Sequence, residues 1–293
     1  MPEPAHGAGR VEVNVALKIT DVKARKGAGE KLVMVTAYDC PSARLGEAAG
    51  VDMILVGDSV GTNVLGLESE IEVTMEVMLH HARAVARGAR DTLLVGDMPF
   101  MSYRVSAEQA LANAGRMIQE GRMHAVKLEG GEEVAGVVKS LTSAGIPVMG
   151  HVGLTPQAVN QLGGYRAQGR DLEGARRLLQ GVRALEAAGA FAVVLEAIPH
   201  GLATLITGRS GIPTIGIGAG PECDGQVQVL HDIAGWNPDF LPKHSKRYAD
   251  LAGALKDAVG AYAAEVRAGK FPTAAHSFKV PAEVLEKLAG EDG

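Results

Sequence analysis

Two aspartates follow apolar, strand-like runs in the same local context, as Val56-Gly57-Asp58 and Val95-Gly96-Asp97. If these runs are parallel strands of one barrel, their carboxyl ends bring both carboxylates to one mouth. Adjacent carboxylates repel each other, and a hard divalent cation between them relieves that repulsion. The pattern predicts a metal site at Asp58 and Asp97, although a helix cap explains either aspartate alone and the spacing does not identify the metal.

The run Val126-Lys127-Leu128-Glu129 adds a cation and a third carboxylate. Glu129 is a further candidate metal ligand, directly or through water. The Lys127 ammonium can bind a substrate carboxylate or keto oxygen as a point charge, with an ordinary surface lysine as the alternative. A Schiff-base role is disfavoured, because it needs a lowered pKa and nearby carboxylates raise the pKa of a lysine.

Glu196 leaves an apolar run just before Pro199, which predicts a partly desolvated carboxylate able to act as a general base. The alternative is a structural acid paired with Arg166 or Arg170, and the spacing favours neither. His151 also ends a run and is able to shuttle a proton or to bind a product hydroxyl, although many histidines at strand ends are structural.

Two other conspicuous segments are interpreted structurally. Gly216 to Gly220 lacks the Lys-Ser/Thr of a phosphate-binding loop and the complete dinucleotide spacing, so it is interpreted as a tight turn. His80 and His81 are adjacent on a helix and cannot both face one site, so they are expected to be a solvent-facing pair.

A unit that recurs along the chain positions these residues: an apolar run of strand length, a polar or glycine-rich break, and an amphipathic helix. Such runs, hydrophobic throughout, are typical of parallel strands buried on both faces. The predicted strands are Leu32 to Tyr38, Met53 to Val56, Leu93 to Gly96, Ala125 to Leu128, Val148 to His151, Ala192 to Leu195, Thr214 to Ile217 and Val227 to His231.

Eight such units favour a single (β/α)8 TIM barrel over a doubly wound open sheet, which has similar local patterns. We expect an N-terminal tail over residues 1–14, the barrel over 15–270 and a C-terminal extension over 271–293. An extra helix over Val15 to Lys26 is expected to plug the bottom of the barrel, and the tail to pack on a neighbour or stay loose.

Composition excludes several classes of protein. The 293 residues are 46% hydrophobic and carry a formal net charge of −5, without a sustained basic run, so nucleic acid is not an expected partner. No apolar stretch is long enough to span a membrane, and the first residues lack a secretion pattern. Cys40 and Cys223 suit a reducing compartment, so we expect a cytoplasmic protein.

Taken in order, the motifs resemble those of the ketopantoate hydroxymethyltransferase family, a match that spans roughly Leu32 to Lys246. Each motif is weak alone, whereas the ordered set is specific. The motifs are Thr36-Ala37-Tyr38-Asp39, Val56-Gly57-Asp58-Ser59, Asp97-Met98-Pro99-Phe100, Lys127-Leu128-Glu129-Gly130-Gly131, Gly150-His151-Val152-Gly153-Leu154-Thr155-Pro156-Gln157, Leu195-Glu196 and Ile215-Gly216-Ile217-Gly218-Ala219-Gly220.

The resemblance implies a barrel of the phosphoenolpyruvate/pyruvate superfamily, assembled as a homodecamer, that acts in pantothenate synthesis. It implies transfer of a hydroxymethyl group from 5,10-methylenetetrahydrofolate to 3-methyl-2-oxobutanoate through a magnesium-stabilised enolate, giving 2-dehydropantoate. By position, Asp58 and Asp97 bind Mg2+ and substrate, Glu129 completes the metal shell, Ser59 and Lys127 hold the keto acid, and Glu196 is the base.

Two departures from the family pattern concern only a loop and the tail: Ala167 replaces a usual valine, and the chain after Phe271 resembles nothing in the family. Two alternatives remain open. One is a carbon-carbon or phosphorus-carbon lyase of the same superfamily, although the Lys-Lys-Cys-Gly-His loop usual in such lyases is missing. The other is a non-catalytic, metabolite-binding barrel, which predicts no requirement for a metal.

Overall fold

A computed structural model describes residues 17–291, and its centre is a closed barrel of eight parallel strands. The strands are hydrogen-bonded in chain order, and β8 pairs with β1 to close the sheet. The barrel prediction is confirmed, and the open doubly wound alternative is wrong. The strands are β1 Leu32–Thr36, β2 Met53–Val56, β3 Leu93–Asp97, β4 Ala125–Glu129, β5 Val148–Gly153, β6 Ala192–Glu196, β7 Thr214–Ile217 and β8 Gly225–Gln228.

The predicted last strand is the one that differs most. It was expected over Val227 to His231, but β8 ends at Gln228 and Leu230–Ile233 forms a helical turn. The first residue of β8 is a glycine, and a β-carbon there would lie 2.6 Å from the carbonyl oxygen of Leu32 on the paired strand. The apolar residues after Gln228 pack beside the barrel as a turn, which hydrophobicity alone does not distinguish from a strand.

Helices alternate with the strands and surround them. Asp39 accepts a hydrogen bond from the backbone N–H of Ser42 and so caps the second helix, as Ser106 does for Gln109 in the fourth. The helices are α1 Ile19–Ala24, α2 Cys40–Ala48, α3 Met75–Gly88, α4 Ala107–Gln119, α5 Ala135–Ser143, α6 Val159–Leu162, α7 Leu172–Ala187, α8 His200–Arg209, α9 Leu230–Ile233, α10 Leu251–Arg267 and α11 Ala282–Glu291. Shorter helical turns cover Gly61–Leu65, Glu70–Glu72, Glu132–Val134, Pro156–Ala158 and Ala274–His276.

The barrel interior forms its own apolar core, distinct from the core between strands and helices. Val22 of α1 is fully buried within this interior core, and Leu17 and Ile19 pack against it. Burying one such side chain contributes about 1.5–3 kcal/mol. The predicted plugging helix is therefore present, although shorter than expected, and Val15 and Ala16 lie outside the described residues.

The last two helices have no buried residue, unlike the other long helices of residues 17–291. Every residue of α10 is at least partly exposed, and every residue of α11 is exposed. The apolar side chains of α10 include Leu255, Val259, Tyr262 and Val266. Within residues 17–291, no helix is long and apolar enough to cross a membrane.

Candidate active site

Asp58 and Asp97 meet at the carboxyl ends of the neighbouring strands β2 and β3. The backbone N–H of Asp58 donates to Oδ2 of Asp97 over 3.0 Å, and both side chains are buried. Glycine at position 57 leaves room for the hydroxyl of Ser59, because a β-carbon there would lie 2.8 Å from Oγ of Ser59. Burial raises the pKa of Asp58, and the charge of Asp97 raises it further. The structure thus brings together the carboxylate pair that the sequence predicts.

Lys127 is buried beside this pair. Its Nζ lies 2.9 Å from Oδ1 of Asp97, which faces it in the register of β3 and β4. Burial alone lowers the pKa of Lys127, but the charges of Asp97, Glu129 and Asp58 outweigh it and raise that pKa above its ordinary value. A lysine whose pKa is raised fits charge stabilisation and not a Schiff base.

Glu129 ends β4 and joins the same cluster. Its Oε2 accepts a hydrogen bond from the backbone N–H of Gln157 over 3.1 Å, and its Oε1 lies 3.4 Å from Nδ1 of His151. The carbonyl oxygen of Glu129 accepts a hydrogen bond from Arg104. Glu129 is therefore a fixed carboxylate beside the aspartate pair.

His151 links this cluster to the candidate base. Its Nε2 lies 3.1 Å from Oε2 of Glu196, while Nδ1 lies 3.3 Å from Nζ of Lys127. Burial and Lys127 lower the pKa of His151, but Glu129 and Glu196 outweigh them and raise it to about 9. The alternative pairing of Glu196 with Arg166 or Arg170 is wrong: within residues 17–291 the ion pair of Glu196 is with His151.

The surroundings of Glu196 place it at the edge of the buried cluster. Its side chain keeps 17% of its surface exposed, whereas that of His151 keeps 2%. Ala197, directly after it, has a φ of 46°, and its N–H donates to the carbonyl of Ile217. Few non-glycine residues adopt this left-handed region, and those that do cluster at functional sites. Glu196 is therefore a partly desolvated carboxylate that a substrate can still reach.

Ser59 lies next to Asp58 and is half-buried. Its Oγ is 2.9 Å from the hydroxyl of Tyr38, and its carbonyl accepts a hydrogen bond from the side-chain amide of Asn63. Ser59 is thus held at the mouth next to Asp58, as expected for a substrate contact.

Two buried residues of the site received no role from the sequence. The Gln157 side chain is hydrogen-bonded to Asp58, and the Tyr103 hydroxyl is hydrogen-bonded to Gln157. Gln157 stands in the quoted Gly-His-Val-Gly-Leu-Thr-Pro-Gln motif, and its Pro-Gln step is the only local signal. Its direction depends on the turn Pro156–Ala158, which sequence spacing does not show.

The remaining candidates are structural. The His200 and His244 side chains lie close to Gly220 and Gly218, and both glycines are at positive φ, which supports a tight turn. His81 is half-buried, and its Nδ1 is 2.6 Å from the carbonyl of Tyr38. The expectation of a solvent-facing histidine pair is wrong for His81, because helix α3 packs this residue against the end of β1.

The donor set fits a divalent cation held only partly by the protein. Four buried or part-buried carboxylates face two cationic groups, Lys127 and His151, so a dication would balance the cluster. Within residues 17–291, no three or more His, Cys, Asp or Glu side chains are gathered so that they could hold a metal ion by themselves. Magnesium is usually held by one or two carboxylates together with water and substrate oxygens, and Asp58 and Asp97 would supply those carboxylates.

A family model described as ketopantoate hydroxymethyltransferase matches residues 16–274. The chain belongs to the ketopantoate hydroxymethyltransferase family. It is 56% identical over 270 residues to the 3-methyl-2-oxobutanoate hydroxymethyltransferase of Dehalococcoides mccartyi strain CBDB1, covering 92% of this chain and 97% of that one. The enzyme of the same name from Carboxydothermus hydrogenoformans is 54% identical, with 92% and 98% covered.

Solved structures extend the likeness of this ketopantoate hydroxymethyltransferase family member to more distant barrels. Phosphonopyruvate hydrolase aligns with a TM-score of 0.60 at 15% identity, covering 94% of this chain and 96% of the other. A 2,3-dimethylmalate lyase aligns with a TM-score of 0.56 at 18% identity, covering 94% and 95%. At these identities the likeness shows the fold alone. The family match therefore identifies an enzyme, and the non-catalytic and lyase alternatives lose their support.

Proposed function

We propose that this enzyme transfers a hydroxymethyl group from 5,10-methylenetetrahydrofolate to 3-methyl-2-oxobutanoate and yields 2-dehydropantoate. The names of the relatives indicate the acceptor and the group transferred. The observation that carries the proposal is the convergence of Asp58, Asp97 and Lys127 on one side of His151 and of Glu196 on the other. With a divalent cation between the aspartates, such a site would bind a small anion and would offer a base within reach of it.

Asp58 and Asp97 would hold Mg2+, with Glu129 binding it directly or through water. The bound cation would polarise the oxygens of the keto acid and so lower the barrier to removal of the proton at C3. Lys127 adds a fixed positive charge for the carboxylate or keto oxygen, and it needs no reorganisation because Asp97 already holds it. Ser59 contributes a hydroxyl beside Asp58.

Glu196 takes the C3 proton. Nε2 of His151, 3.1 Å from the carboxylate, gives the proton a neighbouring relay group. C3 then bonds to the methylene carbon, whose two bonds to folate nitrogens break. A water molecule supplies the product hydroxyl, and the C3 proton and one water proton end on the two nitrogens, so the atoms balance.

The test is consumption of 3-methyl-2-oxobutanoate by purified protein with 5,10-methylenetetrahydrofolate, with and without EDTA. We expect consumption that chelation abolishes and Mg2+ restores. Full turnover after metal stripping contradicts the metal assignment. Keto acid cleavage without the folate indicates a lyase, and keto acid binding without any turnover indicates a metabolite-binding barrel.

We also propose that the chain forms a homo-oligomer through its C-terminal helices. The family resemblance implies that this oligomer is a decamer. On α10, Leu255, Val259, Tyr262 and Val266 recur at helical spacing and form one exposed apolar face. An apolar helix face left in water indicates a protein interface. A second copy of the chain is the occupant that this proposal names.

A further inference from the structure

A cleft of about 1190 Å³ opens beside the carboxylate cluster. Gly130, Gly153 and Gln157 line it, whereas Asp58, Asp97, Lys127 and Glu196 do not. Gln157 contacts both regions, because it lines the cleft and also donates to Asp58 and Glu129. The cleft is far larger than a five-carbon keto acid needs, since whole drug-sized molecules fill about 300–1,000 Å³.

The lining of the cleft favours an anion, although the whole chain is acidic. It includes Arg104, Arg166, Arg170 and Arg177 together with three acidic residues. Two of those acids are engaged locally: Asp171 caps α7, and Glu133 accepts from the backbone N–H of Gly131.

Among the arginines of the cleft, Arg104 binds the carbonyl of Glu129, and Arg177 pairs with Glu173. In the described range 17–291, neither Arg166 nor Arg170 forms an ion pair. Two guanidinium groups in one cleft are therefore available to a negatively charged ligand.

The segment that carries both arginines, residues 163–170, is anchored next to the catalytic cluster. The Tyr165 hydroxyl donates to Oε2 of Glu70 over 2.7 Å, which ties the segment to the loop after β2. The backbone N–H of Gln168 donates to the carbonyl of Ala197, the residue after Glu196. A ligand that contacts Arg166 and Arg170 therefore lies against a segment fixed beside the candidate base.

We infer that this cleft receives the carboxylate-bearing γ-glutamyl tail of the one-carbon carrier, with Arg166 and Arg170 as the recognising groups. The inference rests on the proposed function and adds where the second substrate is held. Phe100 also lines the cleft, three residues after Asp97, and presents a part-exposed aromatic ring. An aromatic ring and two cations suit a molecule that joins a benzoyl group to glutamates.

The experiment compares the KM for 5,10-methylenetetrahydrofolate with one and with five glutamates, in the parent enzyme and in the Arg166→Gln/Arg170→Gln variant. We expect the longer tail to lower KM in the parent, by about two- to fivefold per arginine, as exposed ion pairs allow. The variant should lose this preference, and added salt should weaken it in the parent. The Arg176→Gln/Arg183→Gln variant, with equal charge loss outside the cleft, should keep it.

A parent enzyme that turns over but does not distinguish the two tails overturns the inference, as does a variant that keeps the full preference. Exchange of the keto acid C3 proton with deuterated water, measured without any folate, separates the two proposals. If the parent and the Arg166→Gln/Arg170→Gln variant both exchange the C3 proton and show the same preference for the longer tail, only the assignment of the cleft is wrong. Absence of exchange and turnover in the parent removes the proposed function.

Discussion

The side-chain nitrogen of Gln157 lies 2.7 Å from Oδ2 of Asp58 and donates a hydrogen bond to it. The same nitrogen donates to the carbonyl of Met98 over 3.0 Å, and Oε1 accepts from the Tyr103 hydroxyl over 2.7 Å. The reversed amide would set its oxygen against two acceptors, so the orientation is determined. Gln157 thus holds one oxygen of Asp58 and, through its backbone N–H, one oxygen of Glu129.

Gln157→Met should weaken metal binding, because it removes both side-chain donors and keeps a side chain of similar length. Groups that orient metal ligands typically contribute about 10–100-fold to affinity, and we expect a loss in that range. Titration with Mn2+, followed by electron paramagnetic resonance, measures it without turnover. Unchanged affinity in a folded Gln157→Met protein contradicts the positioning role.

Tyr103→Phe provides the matched test, because Tyr103 lies next to Gln157 and orients its amide. We expect a smaller loss of Mn2+ affinity than for Gln157→Met. In the double variant the effects should be less than additive, since the hydroxyl acts on Asp58 through the amide. Additive effects would instead mean that the two residues act separately.

Asp58, Asp97 and Glu196 were predictable because strand ends of a parallel barrel share one mouth, and the strand runs were readable from their hydrophobicity. Gln157 and Tyr103 were not, because they come from loops whose side-chain directions depend on turn geometry. The contact between His151 and Glu196 also required the register of β5 and β6, which pairs Gly153 with Glu196.

Glu196→Gln should bind the keto acid but stop exchange of its C3 hydrogen with deuterated water, because an amide cannot accept the proton. Proton NMR of the keto acid follows the exchange. Glu196→Asp, which keeps the charge on a shorter side chain, should retain slow exchange. If exchange persists at the parent rate in Glu196→Gln, another group is the base.

Asp58→Asn should stabilise the metal-free protein and remove its stabilisation by Mg2+. Burial and the charge of Asp97 both raise the pKa of Asp58, so an ionised carboxylate there disfavours folding when no cation is bound. Without metal, we expect the Tm of the variant to be a few degrees higher than that of the parent. Added Mg2+ should raise the Tm of the parent, because it binds the folded state, and should leave the Tm of the variant unchanged. A variant that still responds to Mg2+ excludes Asp58 as a ligand.

Leu255→Glu should break the proposed assembly, because it places a charge in the exposed apolar face of α10. Ala264→Glu, on the opposite face of the same helix, is the control and should leave the assembly intact. Light scattering after size-exclusion chromatography measures the mass of each variant. A Leu255→Glu protein with the parent's mass contradicts the role of this face.

Gly153→Ala should damage the site, because Gly153 has a φ of 106° and a β-carbon there would lie 2.1 Å from the carbonyl oxygen of Glu196. The backbone next to Glu196 must then move, and we expect a lower kcat together with a loss of stability of about 1–3 kcal/mol. Gly115→Ala is the matched control: it lies in the interior of α4 with nothing within 4 Å of a β-carbon there, and alanine in a helix interior adds roughly 0.5–1 kcal/mol. Thermal unfolding should show lower stability for Gly153→Ala and higher stability for the control. The rate of C3 exchange should fall only in Gly153→Ala. A Gly153→Ala protein that exchanges at the parent rate would show that the position of the Glu196 backbone does not matter for proton removal.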